Sequence, residues 1–212
     1  MNRLKRQTTS SAMTDHVMEM ILHDIQTGTL TPGAWLKQID LERRYSCGRP
    51  EVRRALDRLA QKRLVVHVPN RGYHVYQPDG RQAREVAEIR ILLETGVAGH
   101  IVANARPADI ETLAGLSANF DRLLQIGTTL ELYEANLAFH HQLLSLCGNL
   151  ELVNLVADIR QRTSSAPVQQ WTTRDRVEQS SREHAQMIDA LVSKDEAQLT
   201  EVIARHIRQS SP

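Results

Sequence analysis

The sequence predicts a mostly α chain in two parts: three helices closed by a small β-hairpin over residues 1–78, and an all-α helical bundle over residues 79–212. Three observations carry this reading. Apolar residues recur at helical spacing through the front third. Two short β-prone runs, 65–68 and 73–76, flank the turn residues Pro69, Asn70, Arg71 and Gly72. From residue 82 to 210, amphipathic helical patterns follow one another with no convincing strand, divided by Pro107, Gly127, Gly148 and Pro167.

In the front part, Val17, Met20, Ile21 and Ile25 mark a first helix from Thr14 to Gln26, stopped by Gly28. After the Pro32-Gly33 turn, Leu36, Ile39 and Leu41 start a second short helix that ends near Tyr45. Gly48 serves as N-cap of the third, whose first turn tolerates Pro50 and whose buried stripe is Val52, Leu56 and Leu59. The opposite face is basic, with Arg49, Arg53 and Arg54 within the first turn and a half. Three helices followed by a hairpin wing define a winged helix-turn-helix. In that fold the third helix reads bases in the major groove of double-stranded DNA, and the wing tip lies along the backbone or minor groove.

Charge points the same way. The net +1 hides an asymmetry: residues 1–80 hold 13 Lys and Arg against 8 Asp and Glu, a net +5, which leaves 13 against 17, a net −4, for the rest. A basic front suits a polyanion, because each phosphate contact releases counterions. An apolar fraction of 41% excludes a disordered or fibrous chain. No apolar run approaches the ~20 residues that cross a bilayer, and the basic stretch 1–9 lacks the apolar core of a signal peptide. No membrane partner and a cytoplasmic location are therefore expected. Cys47 and Cys147 lie far apart and read as free thiols.

The run GTLTPGAWLKQIDLERRYSCGRPEVRRALDRLAQKRLVVHVPNRGYHV resembles the DNA-binding domain of the GntR family. That family's pattern has a Pro-Gly turn, an Arg before the recognition helix, Val-Arg-x-Ala-Leu, and Arg-Gly in the wing. The resemblance implies base contact by Arg49 and Arg53, phosphate contact by Arg43, Arg54 and Lys62, and wing contact by Arg71 and Gly72. The chain departs from the pattern at Gly48, where Ser or Thr is usual, and at Glu51, where Pro is common.

In the rear part, Asp109 is placed as the cap of a helix running to Ile126, and Thr128 or Thr129 as the cap of another reaching Cys147. Ser193 with Glu196 reads as a capping box for a last helix reaching about residue 210. Asn136 and His140 are four apart and share a helix face; His184 and His206 lie on later helices. Neutral imidazoles are common metal ligands, and three of them with an oxygen donor suit zinc, nickel, manganese or iron. Spacing alone does not bring these helices together.

The segments NLAFH, CGN and EHAQMIDAL, followed by His206 and preceded by EIRILLE, resemble the FCD effector domain that follows many GntR modules. The resemblance implies a divalent metal ion held by Asn136, His140, His184 and His206, with Asn136 standing where many members have Asp. An amide in that place leaves more of the cation's charge uncompensated, which favours an anionic effector. A small organic acid is expected, with Arg90 as its bidentate partner and Arg160 and Arg162 as further candidates. The alternative for Arg90 is an ion pair with Glu94 one turn later.

The function expected is a homodimeric, non-enzymatic transcription regulator that grips a pseudo-palindromic operator through recognition helices ~34 Å apart and responds to the acid. Two rivals stand beside it. One is a metal-dependent hydrolase with a DNA-binding appendage, for which the sequence offers Glu183 alone as a general base near the histidines, on a face turned from that of His184. The other is an architectural DNA-binding dimer indifferent to ligand.

Overall fold

A computed structural model describes residues 2–77, 80–163 and 174–209, which form two compact units divided between Gln77 and Pro78.

The front unit begins with α1 (Asn2–Gln26), longer than the expected start at Thr14 because residues 2–13 carry no apolar stripe for periodicity to detect. Its buried side runs through Thr14, Val17, Ile21, Asp24 and Ile25. Met20, expected in that stripe, is 38% exposed. It sits about a quarter turn from the stripe's centre. Buried Asp24 accepts hydrogen bonds from Arg44 Nε and the Tyr45 hydroxyl, which tie α1 to the end of α2 (Gln38–Arg44).

Leu36 corrects a second expectation. It belongs to a two-residue strand, β1 (Trp35–Leu36), and only Leu41 is buried in α2, with Ile39 left exposed. The left-handed Gly33 (φ 76°) turns the chain so that its N–H donates to Val75 O, and Val75 N–H donates to Ala34 O. These bonds draw β1 onto the hairpin of β2 (Val65–Val68) and β3 (Gly72–Val75), giving a three-stranded antiparallel sheet in the order β1-β3-β2. A strand of two residues is too short to show alternation in sequence.

Helix α3 (Arg49–Gln61) starts on extended Gly48 with Pro50 in its first turn, and buries Val52, Ala55, Leu56 and Leu59. It packs mainly on α1, with α2 and β2 beside it. At the wing tip, Asn70 (φ 63°) and Gly72 (φ 103°) adopt the left-handed conformations that let Arg71 N–H reach back to Val68 O.

The rear unit holds α4 (Gly80–Thr95), α5 (Ala98–Asn104), α6 (Pro107–Ile126), α7 (Thr129–Ser145), α8 (Leu150–Thr163), α9 (Arg174–Ser193) and α10 (Glu196–Gln209), with no strand among its described residues. One core, including Ile101, Leu113, Phe139, Met187, Leu199 and Ile207, joins α5, α6, α7, α9 and α10. Thr128 caps α7, its hydroxyl accepting from Glu131 N–H while the Glu131 carboxylate accepts from Thr128 N–H. Two other caps differ from expectation. Asp109 sits inside the first turn of α6 and accepts from the N–H of Arg106, the residue in the cap position. Asp195, not Ser193, caps α10 by accepting from Gln198 N–H, while the Ser193 hydroxyl donates back to Asp189 O in α9. Residues 167 and 210 lie outside the described residues.

Candidate functional site

Three helices that are distant in sequence bring the histidines together. Phe139, Leu143 and Leu144 orient the buried side of α7, and His140 follows it inward; α9 presents His184 between Ser180 and Met187, and α10 presents His206 beside Ile207. His140 Nε2 lies 2.8 Å from His206 Nε2 and 3.4 Å from His184 Nε2. One ligand atom from each of the three falls within 4.8 Å of the others. With metal–nitrogen bonds of about 2.0–2.1 Å, neighbouring ligand nitrogens stand about 2.8–3.4 Å apart in octahedral or tetrahedral geometry. The two separations from His140 match that spacing.

The surroundings are dry. His140, His184 and His206 are 5%, 0% and 6% exposed. His184 stacks on Phe139 with centroids 4.0 Å apart and meets the edge of Phe120 at 5.0 Å. Burial pushes the pKa of all three imidazoles down, with the Arg160 charge adding to the effect, so they are neutral at pH 7 and carry lone pairs for a cation. For His206 the Glu183 carboxylate opposes the fall, accepting from His206 Nδ1 at 2.8 Å. That bond fixes the tautomer and turns the Nε2 lone pair to the cluster, as a carboxylate behind a metal-binding histidine does. Among the described residues, two buried side-chain atoms have no hydrogen-bond partner: Asn136 Oδ1, one turn before His140, and His184 Nδ1. An unpartnered buried acceptor is costly, and an oxygen left so one turn before His140 is of the type that joins imidazoles in the donor set of a cation site.

Glu183 is thus more than the sequence reading allowed. It faces away from His184 along α9, yet α10 packs on that side and delivers His206 to it. Its other oxygen accepts from Gln179 Nε2 at 3.1 Å and lies 3.5 Å from Arg205 Nε.

A buried charge cluster adjoins the histidines. Glu94 Oε1 accepts from Arg90 Nε and Oε2 from Arg160, both at 2.8 Å, with all three side chains buried. Burial raises the Glu94 pKa, but the guanidiniums of Arg160 and Arg90 outweigh it and bring it down to about 2. Burial, then the charge of Arg160, lowers Arg90 to about 10 against the pull of Glu94. Arg90 therefore forms the pair with Glu94 that its spacing allowed, and Arg160 from α8 shares it. The Arg162 side chain lies outside the described residues. Between α7 and α8 opens a cavity of ≈ 300 Å³ with apolar walls that include Leu144, Val153 and Val156, and with Arg160, His140 and His141 as its polar groups.

On the front unit, Arg49, Arg53, Arg54, Arg43, Lys62 and Arg71 all lie in exposed positions. Arg49 Nε donates to Gln38 Oε1 on α2 at 3.2 Å, a neighbour the sequence did not suggest. Arg54 is tied down: it pairs with Glu51 at 2.7 Å and donates to the buried Thr14 hydroxyl at 3.3 Å. The guanidinium of Arg71 lies 5.1 Å from the ring centre of Trp35, another residue not singled out from sequence. No described helix is long and apolar enough to cross a membrane.

Comparison with known proteins agrees on both units. Residues 13–75 match the model of bacterial regulatory proteins of the gntR family, and residues 85–209, more than half the chain, match the FCD domain. The chain is 28% identical to the HTH-type transcriptional regulator BphR of Paraburkholderia xenovorans, over 88% of this chain and 79% of that protein. It is 22% identical to the Nta operon transcriptional regulator of Aminobacter aminovorans, over 84% and 83%. Two solved structures share its fold. A GntR regulator from a Rhodococcus species has a TM-score of 0.78 at 22% identity, covering 94% of this chain and 96% of its own. McbR/YncC of E. coli has 0.76 at 21%, covering 93% and 94%. The chain belongs to the GntR family of bacterial transcriptional regulators, joining the family's DNA-binding domain to an FCD domain.

Proposed function

We propose that this regulator holds a divalent metal ion on His140, His184 and His206, with Asn136 as an oxygen donor, and that a small carboxylic acid binding beside it changes operator affinity. The convergence of three neutral, buried imidazole nitrogens carries this reading. The ion, which the donor set fits as zinc, nickel, manganese or iron, supplies a positive charge and open coordination positions for an anion.

The cavity supports the effector's class. Arg160, His140 and His141 are the polar groups in otherwise hydrocarbon walls, which suits a carboxylate with an apolar body better than a sugar acid whose several hydroxyls would find few partners. Arg160 is the nearer partner for the acid, and Arg90 acts behind it through their shared Glu94. Glu94 belongs to α4, the first helix after the junction between the units, so an acid drawing on Arg160 alters the charge balance on that helix. The engagement of Glu183 by His206 supports sensing over hydrolysis, since a general base needs a free carboxylate within reach of its water. The reading includes a cytoplasmic homodimer on a pseudo-palindromic operator.

The test is metal analysis of tag-free protein, followed by operator binding across a panel of aliphatic, aromatic and hydroxylated acids. An operator affinity indifferent to every acid, or a protein that takes up no divalent ion, overturns the reading. Within it, Glu183→Gln is expected to weaken metal affinity about 10–100-fold with the fold intact, measured by competition with a chelating dye. Arg49→Ala is expected to cost about 1–3 kcal/mol of discrimination between operator and mutated operator, measured by gel shift. An equal loss on all sequences would assign Arg49 to phosphate contact alone.

A further inference from the structure

The alternation of β1 and β3 sets an unusual outward surface on the wing. Leu36 pairs with Tyr73, and both are buried, so their neighbours Trp35 and His74, also paired, face the other way. Trp35 is left 43% exposed. It is not idle there: the Arg71 guanidinium lies over its ring at 5.1 Å, and the His74 ring meets it edge-on at 5.2 Å. Arg71 sits at the tip of the hairpin, between Asn70 and Gly72, where a long flexible side chain would otherwise sample many rotamers.

We infer that Trp35 is a positioning residue for DNA binding, holding the Arg71 guanidinium over its indole so that the wing meets the sugar-phosphate backbone with that cation already localised. This rests on the reading of Arg71 as a DNA contact. A guanidinium held over an aromatic face by cation–π attraction keeps its full charge and its N–H donors for a phosphate. Association with the duplex then costs less side-chain ordering than it would from a free tip. The stack is built by the short strand that the helical periodicity concealed, since β1 exists only through its pairing with β3.

The experiment measures binding by fluorescence anisotropy on two duplexes, one of random sequence and one enriched from a random library by the wild-type protein. The variants are Arg71→Ala, Trp35→Leu, Trp35→Phe and the double variant Trp35→Leu/Arg71→Ala. Leu preserves apolar packing without a π-face, and Phe retains the face. Trp35→Leu is expected to weaken both duplexes about two- to fivefold, the factor a solvent-exposed cation–π contact supports, and Trp35→Phe to recover most of the loss. The double variant is expected to bind no more weakly than Arg71→Ala alone. Additive losses, or a Trp35→Leu protein that binds as well as or better than wild type, overturn the positioning role while leaving the wing contact standing. An Arg71→Ala protein with unchanged affinity and an unchanged salt slope removes the wing contact itself, and the inference with it. Thermal melting of each variant checks that the sheet is intact; if Trp35→Leu melts early, the comparison of Trp35→Phe with wild type in the Arg71 and Arg71→Ala backgrounds decides.

Discussion

Glu94→Gln is expected to be among the most destabilising single substitutions in the chain, costing about 3–5 kcal/mol in denaturant unfolding. The reason is the stoichiometry of the buried cluster: Arg90 and Arg160 share one carboxylate, so a neutral amide removes the counter-charge from two guanidiniums rather than one. Replacing all three by apolar residues, as in Arg90→Met/Glu94→Leu/Arg160→Met, is expected to recover much of the loss, because no desolvated charge remains. The same cluster sets an acid limb. The Glu94 pKa is held down to about 2 from 4.5, so its contribution is complete above pH 4.5 and disappears as pH falls through about 2. Stability measured across that window is expected to drop less steeply in Glu94→Gln than in wild type. A loss under about 1 kcal/mol at neutral pH would mean that water reaches the cluster and relieves it.

The second large effect concerns the histidines. His184→Phe is expected to lower metal affinity roughly a hundredfold or more, since structural zinc binding of about 10–16 kcal/mol spread over four ligands is about 3 kcal/mol apiece. Phe is the informative choice because the site is already aromatic: a ring there keeps the stack on Phe139 and the edge contact with Phe120. It also removes Nδ1, a buried nitrogen with no partner, so the metal-free variant is expected to melt at or above the wild-type temperature. Adding zinc or nickel should raise the melting temperature of wild type and not of the variant. Equal metal-induced stabilisation of both proteins would place the ion elsewhere.

Much of the architecture was legible in sequence because its elements are long or sharply punctuated. Helix α3 shows its cap, its proline and its apolar stripe, and α7 shows a cap at Thr128 or Thr129, which the structure resolves to Thr128. What escaped was short or non-periodic: β1 with Leu36, the polar start of α1, and the choice among Ser193, Lys194 and Asp195 for a cap, which the left-handed turn at Lys194 (φ 55°) decides. At the site, the residue types were readable but their convergence was not. His140 and His206 are 66 positions apart and meet only through helix packing. The roles of Glu94 and Glu183 depend on neighbours supplied by α8 and α10, to which no local pattern points.

The aromatic wall around His184, together with its 0% exposure, has a kinetic corollary. In the proposed site a cation held by His184 would be walled by Phe139 and Phe120 on one side and would reach solvent through the α7–α8 cavity that His140 lines. Its release would require ligands from three helices to let go, so its residence time would be expected to exceed that of a carboxylate entering the same cavity. On that proposal the two guests would separate by lifetime, the ion as a long-lived fixture and the acid as the message.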